Sequence, residues 1–383
     1  MLMTQESASY TTVWIGERES TLSKILIVHS QMSMYGGAEL LVVRLARYLQ
    51  EHNNKVTIAT LASKDIDAYK GLEIITPQHQ IEYRLRGSLS ALKDVYEMWR
   101  ELSNLCHKLV PSYDVINVHN FPSIWCVPSN KKVVWMCNEV PDLFHNRHIS
   151  SLINPLLNSG RWIDRTVARS KHPIVVVSDE SMARIFSHRY LIKPEIIPYG
   201  IDGEFFASGK KVGHTNFTII QAAMVSPSKN QLAVLETARV LKSTIPNLQI
   251  IFAGYMEPNN VYTHVLKDYI KEHSLNVTFT GLISREYLRE LYYSADVAVF
   301  PGVGQGSWLG PFEAMAASVP VIVSPKLTCS SLISREMLGI VNEDFVTAIK
   351  KIYTQPPSTT KAKQFILQNL TWEKFCSEFE KLL

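Results

Sequence analysis

The chain opens its regular pattern at KILIVHS, Lys24 to Ser30. This short run of β-branched and apolar residues predicts a strand buried on both faces. A glycine-containing loop, SMYGGAE, follows it, and then ELLVVRLARYLQEH, whose apolar positions recur at helical spacing. KVTIATL is the next strand. Leu89, Leu92, Val95, Trp99, Leu102 and Leu109 line one side of a further predicted helix. DVINVHN, KKVVWMCNE and PIVVVSDES are strands that each run into a loop, and EIIPYGID, Glu195 to Asp202, closes this half. Strand–helix–strand alternation of this kind predicts a parallel, doubly wound sheet.

GKKVGHT, Gly209 to Thr215, is a short polar linker, after which the pattern restarts. NFTIIQAA, LQIIFAG, NVTFTGL, DVAVFPG and VPVIVSP are strands. NQLAVLETARVLKST and SREYLRELYYSA are helices, and PFEAMAAS opens another. Thr371 stands where it can cap a last helix, TWEKFCSEFEKLL. The repetition is of whole domains. The expected division is a tail or added strand over 1–23, an N-terminal α/β domain over 24–208 and a second one over 209–370. The helix over 371–383 is expected to pack back on the first domain.

Totals narrow the function classes. A chain of 383 residues is long for one core, which agrees with two domains. With 39 Lys and Arg against 35 Asp and Glu, the net charge of +4 is too small to argue for nucleic acid as a partner. Five scattered cysteines without a C-x-x-C pair argue against a disulfide framework and against zinc. They fit a reducing, cytoplasmic setting. No run reaches the roughly 18 apolar residues that a membrane span needs. The stretch from Arg147 to Lys171 mixes five basic residues with Leu152, Ile153, Leu156, Leu157 and Trp162. It reads either as a face for the inner surface of a membrane or as a helix with a solvated basic side.

GGAE after the first strand, IPYGID at the domain junction and an acidic helix after VFPG together resemble the GT-B glycosyltransferases, most closely retaining glycosyltransferase family 4. The resemblance runs from about Lys24 to the C-terminus and is strongest between Asn216 and Ser324. It implies two Rossmann-like domains facing a cleft. It also implies transfer of a sugar from a nucleotide-diphosphate donor to a glycan, lipid-linked or small-molecule hydroxyl, with retention. The family has two glutamates separated by seven residues. In QGSWLGPFEAMA, Glu313 matches the second and Gln305 stands at the first. Lys229 matches the phosphate-binding lysine, while Met224 stands where an Arg is usual and Trp308 where a Gly is common. Those departures motivate an alternative, a nucleotide-sugar-binding partner without catalysis. A sugar-nucleotide epimerase of the same fold is another.

Breaking a sugar–phosphate bond builds charge on the diphosphate, and fixed N–H donors and cations must meet it. The donor-binding candidates are therefore Gly36 and Gly37, the turn through Gly306, Ser307, Trp308 and Leu309, together with Lys229 and Glu313. By the resemblance, Glu313 accepts from the ribose hydroxyls, His119 contacts the donor sugar, and Gln305 lies near it as a neutral hydrogen-bonding group. His119, Lys229 and Gln305 form the expected catalytic set. Glu139, at the end of another first-domain strand, is the candidate for acceptor hydroxyls or a structural loop carboxylate. His29 and His107 have no comparable context. No metal-ligand motif, G-x-G-x-x-G or P-loop is present, so neither a metal nor a bound cofactor is expected.

Overall fold

The computed structural model describes residues 23–33, 36–80, 82, 90–141, 154–211, 213, 215–302 and 308–383. The expected tail or added strand before Ser23 lies outside them, as do Leu89, Gln305, Gly306 and Ser307.

The first unit runs β1 (Lys24–Val28), α1 (Gly37–Glu51), β2 (Lys55–Ala59), β3 (Glu73–Ile75), α2 (Ser90–Leu109), β4 (Val115–His119), β5 (Lys132–Met136), α3 (Asn154–Ser170), β6 (Ile174–Val177), α4 (Glu180–Tyr190) and β7 (Glu195–Ile196). Its sheet has the order β3-β2-β1-β4-β5-β6-β7, with every pair parallel. After α5 (Gly203–Ala207), the second unit runs β8 (Phe217–Ala222), α6 (Gln231–Leu241), β9 (Leu248–Ala253), α7 (Val261–Glu272), β10 (Val277–Gly281), α8 (Arg285–Tyr293), β11 (Val297–Phe300), α9 (Leu309–Ala316), β12 (Val321–Val323), α10 (Ser330–Glu336), β13 (Ile340–Val341) and α11 (Phe345–Thr354). Its sheet order is β10-β9-β8-β11-β12-β13, again parallel. α12 (Thr360–Asn369) and α13 (Trp372–Glu380) end the chain.

The apolar runs become central strands because both of their faces are covered. Ile25 and Ile27 face a core shared with α1, whereas Leu26 and Val28 face one shared with α2 and α4. The second sheet is filled likewise by Ile219, Ile250, Val297 and Val299 against α6 and α11. Thr371 accepts from the Lys374 N–H at 3.1 Å and so caps α13, as its sequence position suggested. α13 lies against α1 through Phe375, Cys376 and Phe379, and Ile201 pairs with Thr371 where the chain passes between the units. All five cysteines are buried, free thiols. Among the described residues no helix is long and apolar enough to cross a membrane.

In each sheet the strand order reverses once, between β1 and β4 and between β8 and β11. A crevice opens at the C-terminal ends of the strands at such a reversal, and ligands of open α/β sheets bind there.

Candidate functional site

At the reversal of the second sheet, α9 starts directly over the strand ends. A Cβ on Gly310 would lie 2.9 Å from the Phe300 ring and 3.1 Å from the Ala222 carbonyl oxygen, so only glycine permits this approach. Helix α9 begins at Leu309, so Leu309 and Gly310 belong to its first turn and not to a preceding loop. Pro311, whose missing N–H would be unpaired there anyway, suits that turn. No acidic side chain lies in the first turn to compete with an anion.

Lys229 stands at the same strand ends. Gln221, in the last turns of β8, donates to the Lys229 carbonyl at 2.7 Å, and Asn230 reaches the Pro301 carbonyl at 3.3 Å. These bonds fix the lysine backbone against the ends of β8 and β11. Burial lowers the Lys229 ammonium below its ordinary value, and the Glu139 carboxylate pulls the other way. Glu139, the acceptor candidate, is thus set from the first unit toward a cation of the second.

The two units meet close by. A Cβ on Gly37 would be 3.2 Å from Leu309 Cδ1, so the starts of α1 and α9 converge. They are not equivalent as anion sites. The Gly36 N–H already donates to Glu39 Oε2 at 2.9 Å, the reach-back of a capping box. A carboxylate of the first turn thus takes the Gly36 amide. Trp308 is buried, its ring centroid 4.9 Å from that of Tyr199 and 4.5 Å from that of Phe312.

Glu313 is buried on α9, and its Oε1 accepts from Arg285 Nη2 at 3.2 Å. Arg285 also donates to Asp202 Oδ2 at 2.8 Å, while Arg44 at 2.6 Å and Trp372 Nε1 at 2.7 Å meet Asp202 Oδ1. The carboxylate expected at the ribose is therefore the end of an ion network joining α1, α8, α9 and α13. Nothing in the spacing of QGSWLGPFEAMA signals this, because Arg285, Asp202 and Arg44 are distant in sequence.

Two family models match consecutive stretches of the chain: Glycosyltransferase Family 4 over residues 35–205 and Glycosyl transferases group 1 over 204–367. The chain is a GT-B glycosyltransferase. It is 28% identical over 154 residues to the putative glycosyltransferase EpsD of Bacillus subtilis, a match covering 39% of this chain and 39% of EpsD. It is 24% identical over 255 residues to the O-antigen chain mannosyltransferase RfbU of Salmonella typhimurium, covering 62% and 69%. Among solved structures, HepE from Anabaena in complex with UDP and glucose superposes with a TM-score of 0.71 at 15% identity, covering 94% of this chain and 98% of that one.

In this glycosyltransferase His119 ends β4 at the reversal of the first sheet, fully buried. Its Nε2 meets Asn117 Oδ1 at 2.8 Å, and the Asn117 amide nitrogen donates to the Val134 carbonyl at 3.0 Å. His119 Nδ1 has no partner. Burial, with His29 nearby, holds its pKa well below the ordinary value, so the ring is neutral. His29, which the sequence did not single out, directly follows β1, with its ring 5.9 Å from that of His119. A single histidine after an apolar strand carries no signal by itself; adjacency of β1 and β4 creates the pair.

Met224 is 46% exposed and fills no packed gap. An Arg there would keep its charge in water, so Met224→Arg is expected to change unfolding free energy by no more than about 0.5 kcal/mol. Chemical denaturation checks this; a markedly lower midpoint would mean that Met224 packs more tightly than its exposure indicates. Of the basic, apolar stretch, residues 142–153 lie outside the described part. On α3, Asp164 is buried and accepts from Arg189 at 2.8 Å and from Tyr190 at 2.9 Å, while Trp162 is 65% exposed. No cluster of metal-ligating side chains occurs among the described residues.

Proposed function

We propose that this enzyme transfers a glycosyl unit from a nucleoside-diphosphate sugar to an acceptor hydroxyl, with retention and without a metal ion. The observation that carries the reading is the start of α9 at the reversal of the second sheet, with no acidic side chain in its first turn and with Lys229 held at the ends of β8 and β11. In the reaction the bond from the anomeric carbon to the β-phosphate oxygen breaks. A bond to the acceptor oxygen forms, and the hydroxyl proton is released. Charge gathers on the leaving diphosphate, and the Lys229 ammonium with the α9 N–H dipoles stabilises it where a divalent ion would otherwise serve. That HepE is described with UDP and glucose supports a nucleotide-sugar donor. The family resemblance supports retention, and the anomeric proton of the product reads it by NMR.

The test is turnover of UDP-glucose, UDP-galactose and GDP-mannose in the presence of EDTA. Formation of a glycosylated product, with the rate unaffected by chelation, is expected. Turnover that is lost with EDTA and restored by Mg²⁺ at the chemical step would overturn metal independence.

Glu313 is proposed to accept from the ribose hydroxyls as well as from Arg285. Burial raises its carboxyl above the ordinary value, against the pull of Arg285. A carboxyl raised on folding contributes stability below its unfolded pKa, and that contribution is lost as pH rises through the folded value. At neutral pH the charge is therefore a net cost to the fold, and Glu313→Gln should melt no lower than wild type, with Arg285 still held by Asp202. The same change should weaken the free nucleoside diphosphate about 10-fold, the scale of one charge-assisted hydrogen bond. Calorimetric titration showing unchanged affinity in a folded variant would remove Glu313 from the donor site.

A further inference from the structure

The histidine pair at the reversal of the first sheet has no part in holding the diphosphate, and its geometry constrains what it can bind. Asn117 turns its carbonyl oxygen to His119 Nε2, because its amide nitrogen is occupied by the Val134 carbonyl. The ring hydrogen of His119 therefore sits on Nε2, and Nδ1 presents a lone pair. His29 Nε2 faces Glu39 Oε1 at 3.6 Å. A carboxylate only accepts, so in the neutral ring the edge facing Glu39 is the hydrogen-bearing one and Nδ1 is the lone pair. Both Nδ1 atoms are buried and have no partner. The residues are 4% and 0% exposed, and unpaired acceptors at that depth are uncommon.

Two acceptors with no donor of their own do not suit a diphosphate, whose oxygens also accept. They suit neighbouring hydroxyls, each with one hydrogen to give. His29 follows β1 and His119 ends β4, and Glu39, beside His29, ties the pair to the start of α1, where Gly37 meets Leu309 of the donor-binding unit. We propose that His29 is a specificity-determining residue that, together with His119, accepts hydrogen bonds from adjacent hydroxyls of the transferred sugar. The inference rests on the donor reading above.

Two amide variants separate this role from a structural one. In His29→Gln the amide reaches about the place of Nε2 and keeps a donor toward Glu39, but the Nδ1 acceptor is lost. In His29→Asn the amide oxygen falls near Nδ1 while the contact to Glu39 is lost. The measurements are kcat/KM for the donor that wild type turns over among UDP-glucose, UDP-galactose and GDP-mannose, the same for its 2-, 3-, 4- and 6-deoxy forms, the affinity for free UDP or GDP, and thermal melts. His29→Gln is expected to lose about 20-fold in kcat/KM with the full donor, while free nucleotide affinity stays within about 2-fold. One deoxy donor that is poor with wild type should show no further loss in this variant. His29→Asn should recover most of the activity. The opposite order, Gln active and Asn impaired, would assign His29 to holding Glu39 and overturn the proposal. So would a Gln variant whose losses add equally to every deoxy donor. If wild type binds no nucleoside diphosphate and turns over none of the donors, the donor reading falls and this inference with it. If wild type is active and His29→Gln matches it, only the inference falls.

Discussion

Lys229→Ala is expected to lower kcat by about 10²–10³-fold while raising the donor KM far less. The asymmetry follows from when the charge appears. In the ground state the diphosphate shares its charge with an ester bond to the sugar. In the transition state that bond is breaking and the charge on the leaving oxygen grows, so a fixed ammonium is worth more late than early. Here the ammonium is half-buried, and its backbone is pinned by Gln221 and Asn230, so little reorganisation accompanies the reaction. Single-turnover transfer with a saturating donor is the measurement. A variant as fast as wild type would show that the α9 dipoles and other cations hold the leaving group without Lys229. The pH profile gives an independent check. Burial places the Lys229 pKa below the ordinary lysine value, so the charged form is lost as pH rises through that lowered value. kcat/KM, which reports the free enzyme, should accordingly fall on the alkaline side earlier than an exposed lysine would dictate, and in Lys229→Arg that limb should move upward.

Much of the fold was legible because parallel strands buried on both faces write themselves as apolar runs. KILIV, VVWM, IVVV and VAVF each became a central strand. Nothing in the sequence marks Gly310 as the residue that lets α9 touch Phe300, since a close approach depends on what lies beneath. Side chains that sequence leaves without partners find them across the fold. Glu39 closes over the Gly36 amide and faces His29. Trp308 occupies a donor-loop position, but its apolar ring has Tyr199 and Phe312 to bury against and turns inward. Met224, which stands where an Arg is usual, is exposed, so burial does not account for the replacement. Contacts between units cannot be read from periodicity, which records only which face of an element is covered.

The Asp202 node is where that limit bears most on stability. Asp202 lies in IPYGID, at the junction of the units, and its carboxylate receives Arg44 from α1, Arg285 from α8 and the indole N–H of Trp372 from α13. One small side chain thus ties the first unit, the second unit and the C-terminal helix. Its own exposure is 11%, against 42% for Arg44 and 31% for Arg285. Asp202→Ala would leave two guanidinium groups and an indole without their shared acceptor. Arg44 is exposed enough to turn to water, so its share of the loss is small. Arg285 is held over the Phe206 ring at 4.9 Å and against Glu313, and Trp372 packs on Phe375, so neither escapes as easily. Leaving a partly buried charge and a donor unpaired costs about 2–4 kcal/mol here, below the full range for a buried pair because of the exposed arginine. The denaturant midpoint of Asp202→Ala should fall accordingly, and Asp202→Asn, which keeps one oxygen for the indole N–H or a guanidinium, should recover part of the loss. The replacement also removes the partner that shares Arg285 with Glu313, so donor affinity should weaken in step with stability across the two variants. Unchanged unfolding in Asp202→Ala would mean that the apolar contacts of α13 with α1 hold the junction by themselves and that the ion network is incidental to it.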